Sequence, residues 1–186
     1  MIGLTALWLP ILLSAVAVFV LSSLIHMLSG WHESDYPKVP NQDKVMDTMR
    51  SLNIPAGDYF IPRPESRAEM RSPQFEEKMK KGPVVVMTVF PSGPQSFGKR
   101  LVLWFVYSVV VGIFAAYVAE AALPPGATFK QVLRFAGVTA FIGYGLALWQ
   151  MSIWYGRAWL ATIKATVDSL VYALLTAAIL AWMWPH

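Results

Sequence analysis

Apolar positions fall into four long blocks separated by polar stretches. A helix needs about 20 mostly apolar residues to cross the hydrocarbon of a bilayer. The first block runs from Ile2 to about Ile25, with no charged residue before Glu33. The second runs from Leu101 to Ala119, between Arg100 and Glu120, and the third from Phe135 to Gly156, between Arg134 and Arg157. The fourth ends at Trp184. Counted from Ser169 it has only sixteen residues, so it is expected to start earlier and include Asp168. Pro124-Pro125-Gly126 breaks the chain between the second and third blocks. Thr128, with Gln131 three residues on, has the capping-box spacing that opens a helix at Phe129.

Residues 33–98 have a different pattern. Nine prolines cut this segment into short elements. Asn41 is placed to cap a helix from about Gln42 to Leu52, with Val45, Met49 and Leu52 on its apolar face. A strand is expected at Tyr59–Ile61. Ser72-Pro73 opens a second helix to about Lys80. The β-rich run Val84–Phe90 follows, and Pro91-Ser92-Gly93-Pro94 closes it. Two strands separated by a helix predict a minimal α/β unit whose core is marginal at this size. The fold class expected is therefore membrane all-α: a four-transmembrane-helix bundle with a small cytosolic α/β insertion between helices 1 and 2. Its parts are helix 1 (residues 1–27), the cytosolic segment (28–98) and helices 2–4 (99–186).

Charge supplies the orientation. Of fifteen Lys/Arg, eleven lie between Glu33 and Arg100, beside nine of the eleven Asp/Glu. The net charge of +4 thus marks no nucleic-acid surface. Adding Arg157 and Lys164 places thirteen basic residues on one side of the membrane, against Lys130 and Arg134 on the other. Basic loops stay in the cytosol, so residues 28–98 are expected there and both termini on the opposite side of the membrane. Trp104, Tyr107, Trp154, Tyr155 and Trp159 are expected as an aromatic belt at the inner boundary, and Trp182 and Trp184 at the outer one. The first block lacks the basic start and small-residue site of a cleaved signal, so it is expected to remain as an anchor.

Candidate chemistry is sparse. Without cysteine there is no thiolate ligand, thiol nucleophile or disulfide. Phosphate-loop, HExxH and GxSxG motifs are absent. His26 and His32 flank the exit of the first block, with Glu33 and Asp35 nearby. Imidazoles suit metals, but a spacing of six does not put both rings on one helical face. Interfacial hydrogen bonding is the plainer expectation, and no cofactor is expected. Asp168 is the notable acid, because a carboxylate within hydrocarbon is a functional candidate by default. Lys164 shares its helical face and is expected to pair with it. A helix starting near Ala165 would instead put Asp168 in its first turn, where the dipole favours it. Glu120 and Arg134 bracket the outer turn as a further candidate pair. Ser169, Ala173, Ala177 and Ala181 form a small-residue stripe. Ala136, Ala140 and Ala147 form another, with Gly143 beside it. Such stripes allow close helix approach, within the bundle first and against a partner second.

The strings GWHESDYPKVPNQDKVMDTMR (Gly30–Arg50) and GPVVVMTVFPSG (Gly82–Gly93), with Leu101–Ser108, resemble a family of uncharacterised small bacterial integral membrane proteins. The resemblance implies a bacterial inner-membrane location, with both termini then expected in the periplasm, and no activity. The leading functional expectation is a non-enzymatic membrane subunit or assembly partner, embedded in lipid beside a partner membrane protein or further copies of itself. A small oligomeric transporter or channel component using Asp168 is the alternative, and a metal or redox protein using His26 and His32 the next.

Overall fold

The computed structural model describes residues 3–185, so Ile2 and the two chain ends, whose periplasmic side is an expectation, lie outside it. The described residues form two compact units. One comprises the chain up to Pro37 together with everything from Ser96 on. The other is Lys38–Gln95. The first boundary thus falls about ten residues beyond the expected end of helix 1, because residues 28–37 fold back onto the helices.

Within the first unit a 3-10 turn, Leu4–Leu7, leads into α1 (Trp8–Leu28). Helix α5 is Phe97–Ala122 and α6 is Phe129–Tyr144. A 3-10 turn, Leu146–Leu148, separates α6 from α7 (Trp149–Tyr155), and α8 is Trp159–Trp182. Among the described residues, four helical stretches are long and apolar enough to cross a membrane: Leu4–Leu28, Phe97–Ala122, Phe129–Tyr155 and Trp159–Trp182. Thr128 and Gln131 form the full capping box at the start of α6.

The four stretches pack in a ring, α1 on α5, α5 on α6, α6 on α8 and α8 back on α1. The α6–α8 contact is the most extensive. Ser169, Ala173, Ala177 and Ala181 are all buried, as are Ala136 and Ala140 of α6. Small side chains let the two backbones approach until dispersion holds them. Ala147 does not join this face: it lies beyond the end of α6, in the 3-10 turn, and is exposed. Trp184, expected in an outer belt, is buried, and its indole N–H donates to Pro124 O at 3.2 Å. Trp182 is exposed.

The third stretch departs from the expected unbroken helix. Gly145 ends α6 with its Cα so close to α8 that an added Cβ would stand 2.9 Å from Ser169 Cβ. Only glycine fits there, and the chain leaves the α-helix at that point. Side chains from other helices reach the nearby carbonyls: Tyr107 Oη donates to Gly143 O, and Ser169 Oγ shares its one proton between Ala165 O at 2.6 Å and Tyr144 O at 3.1 Å. Downstream, Ser152 and Thr162 share a buried hydrogen bond of 2.7 Å, and the Trp149 indole N–H donates to Thr166 Oγ1 at 3.0 Å. These tie α7 to α8.

The second unit holds α2 (Gln42–Ser51), β1 (Gly57–Ile61), α3 (Arg67–Met70), α4 (Pro73–Lys81) and β2 (Val85–Val89). Ser72 caps α4 by accepting from Phe75 N–H at 3.1 Å. Asn41 precedes α2 in the left-handed region and makes no side-chain cap bond. β1 and β2 pair antiparallel, with Tyr59 opposite Met87, and Thr88 Oγ1 donates to Asp58 Oδ1 at 2.6 Å. Among this unit's described residues only Phe75 is buried, so its core is as small as its length implies.

Candidate functional site

The site is built where α1 ends. Ser29 and Gly30 stop the helix, and Gly30 takes φ +66°, the left-handed region that glycine enters without steric cost. The chain reverses there. His32 comes back over the last turn of α1 and stacks on His26, with ring centroids 4.3 Å apart and planes 15° from parallel. A spacing of six does not align two rings on a continuous helix. A turn between them removes that restriction, and the structure corrects the expectation in this way.

Glu33–Asp35 forms a 3-10 turn that lies against α8. Lys164 Nζ anchors it by donating to Trp31 O at 2.7 Å, Ser34 Oγ at 2.8 Å and Asp35 Oδ1 at 3.3 Å. An ammonium has three donors, and all three are used. The charge also lies 5.3 Å from the centre of the Trp31 ring. Lys164 therefore pairs with Asp35 across elements. The expected partner, Asp168, is taken by His32.

Helix α8 begins at Trp159, so Asp168 lies more than two turns in, past the first turn where a dipole argument would place it. It is buried. His32 spans the two carboxylates: Nδ1 meets Asp35 Oδ2 and Nε2 meets Asp168 Oδ2, both at 2.7 Å. His32 and then Lys164 hold the Asp35 carboxyl below the usual carboxylate range and outweigh the upward push of its burial. A carboxyl shifted this way favours its charged form. Its contribution to stability is full above the ordinary carboxylate pKa and is lost as pH falls through the lowered value.

His26 Nδ1 lies 3.0 Å from Ser22 O. A carbonyl cannot donate, so Nδ1 carries the proton. In that tautomer the His26 Nε2 holds the lone pair. One donor atom from each of His26, His32 and Asp168 lies within 4.8 Å of the others. Among the described residues, these three are the set that could hold a metal ion.

A cavity of about 520 Å³ adjoins the cluster. His26 and Asp168 line one part of it, and Trp104, Tyr107, Tyr144 and Tyr172 another. The four aromatic rings contact one another, and the Trp104 indole N–H donates to Ser22 Oγ at 2.8 Å. Trp104 and Tyr107, expected in the inner belt, thus serve as cavity wall. The Tyr172 hydroxyl is buried with no hydrogen-bond partner among the described residues, and the buried Tyr144 hydroxyl and Thr176 Oγ1 lie beside one another. Trp154, Tyr155 and Trp159 are exposed.

The other candidate pair does not form. Glu120 Oε1 accepts from Gly3 N–H at 3.2 Å, and no ion pair joins it to Arg134 among the described residues. The structure adds Ser22, Tyr144 and Tyr172 to the expected residues and gives Asp35, expected near the histidines, its bonds to His32 and Lys164. The sequence signal for Asp35 was its place three residues after His32 in a string without a regular period. The cavity tyrosines carried no signal separable from ordinary membrane aromatics.

No protein-family model, curated protein or solved structure matches this chain.

Proposed function

We propose that this is a multi-pass protein of the bacterial cytoplasmic membrane that binds a cation at Asp168 and works as a component of a small oligomeric transporter. Residues 28–98 face the cytosol in this reading, in keeping with the thirteen basic residues on that side.

Buried Asp168 carries the proposal. The cluster sets two carboxylates, Asp35 and Asp168, against one ammonium, Lys164. An excess of carboxylate in a buried place is costly unless it is compensated, and a bound cation compensates it. The interruption after Gly145 gives a second line of support. Non-helical backbone in membrane-spanning segments is tolerated where it lines a cavity, and broken helices border many transport sites. Tyr144 and Leu148, on either side of the break, both line the cavity beside Asp168.

The stripe that suggested a subunit role is used within the chain, against α6. It therefore offers no surface to a partner helix, and the cation site has the stronger support.

The test is flux into liposomes containing the purified protein, measured separately for zinc, sodium and protons. Wild-type protein is expected to move one of these, and Asp168→Asn to reduce that flux to the protein-free rate. Equal flux through both proteins, or none through wild type, would remove the transport reading.

A further inference from the structure

We infer that the cation is a divalent first-row transition ion, held by His26 Nε2, His32 Nε2 and a carboxylate oxygen of Asp168. The inference rests on reading Asp168 as a cation site and names the class of ion that the site selects.

Three observations carry it. First, the donors are two imidazoles and one carboxylate, a set that suits zinc, iron or nickel far better than magnesium or calcium, which take oxygen ligands. Second, each imidazole has its other nitrogen fixed. His32 Nδ1 is bonded to Asp35 and His26 Nδ1 to Ser22 O. Ligating histidines nearly always direct their second nitrogen to a carboxylate or carbonyl, which sets the tautomer and aims the ring. Here both kinds of acceptor are in place. Third, one donor atom from each residue lies within 4.8 Å of the others, although the residues come from the end of α1, the turn after it and the middle of α8.

Zinc bonds of about 2.0–2.1 Å set tetrahedral donors about 3.3 Å apart. His32 Nε2 and Asp168 Oδ2, now 2.7 Å apart, part by a few tenths of an ångström around an ion, and the exposed His26 ring turns out of its stack on His32 so that its in-plane lone pair meets the same ion. A nitrogen must be free of its proton to ligate, so a proton on His32 Nε2 leaves to solvent as the ion enters. Three protein ligands leave a tetrahedral ion one open position. His26 and Asp168 both line the aromatic cavity, which gives that position room for water or a solute oxygen. Lys164 has all three donors engaged and acts as a positioning residue for Asp35 and, through it, His32.

The experiment uses untagged full-length protein in lipid nanodiscs, stripped with a chelator and titrated with zinc chloride against a competing chromophoric chelator. One zinc per chain is expected, undisturbed by millimolar magnesium. His26→Ala is the informative variant, since His26 is exposed and its side chain bonds, among the described residues, to Ser22 O within its own helix. It is expected to weaken zinc binding by more than about 100-fold, beyond the 10–100-fold typical of an outer-shell partner. His32→Ala should act likewise. Failure to bind zinc, equal competition by magnesium, or unchanged affinity in His26→Ala would each overturn the inference. Tight zinc binding without zinc flux would keep the metal site and remove transport. Sodium or proton flux that depends on Asp168, without zinc binding, would do the reverse.

Discussion

Lys164→Met is expected to destabilise the protein by about 3–5 kcal/mol, the cost of removing one partner from a buried ion pair. The side chains of Asp35 and Lys164 are only 5% and 10% exposed. Methionine fills much of the lysine volume, so the loss is mainly of charge and hydrogen bonds. Trp31 O, Ser34 Oγ and Asp35 Oδ1 all lose a donor at once. The turn after α1 should then detach from α8 and carry His32 away from Asp168. Thermal unfolding in detergent, followed by tryptophan fluorescence, measures the loss. Adding Asp35→Asn to Lys164→Met should recover part of it, because the stranded charge is gone. If the double variant is destabilised by the full sum of the two single effects, Asp35 and Lys164 are not energetically coupled.

Asp35→Asn alone is expected to weaken zinc binding by about 10–100-fold, the usual effect of losing an outer-shell carboxylate. Asparagine can still accept from His32 Nδ1, so the ring keeps its orientation. The charge that raises the basicity of Nε2 is lost. Chelator competition on this variant gives the ratio directly. An affinity equal to wild type would mean that Asp35 serves only to fix the turn.

Both predictions depend on contacts that are long-range in sequence, and that governs what could be read from the chain. The four apolar blocks were legible because their signal is local: length, composition and flanking charge. Thr128 and Gln131 were legible for the same reason, since a capping box is complete within four residues. The end of α6 was hidden. Gly145 sits within an apolar run, and what ends the helix there is its approach to Ser169, 24 residues away. The antiparallel pairing of β1 and β2 was hidden too, because the helices between them allow either sense.

The cluster shows the same division. His26, His32, Lys164 and Asp168 all stood out by residue type, since each is ionisable beside an apolar run. Their pairing did not follow from helical spacing. Lys164 and Asp168 share a face on α8, yet each turns to a group on the segment after α1. Periodicity describes one helix at a time. It carries no information about a reversal such as the one at Gly30, which alone brings His32 back to His26.

The central claim is that His26, His32 and Asp168 together form a metal site. X-ray absorption at the zinc edge tests it most directly, on full-length protein in nanodiscs loaded with one zinc per chain. The predicted spectrum has nitrogen and oxygen neighbours at about 2.0–2.1 Å, with the outer-shell scattering of two imidazoles. A zinc surrounded only by oxygens, with no imidazole scattering, would contradict the account.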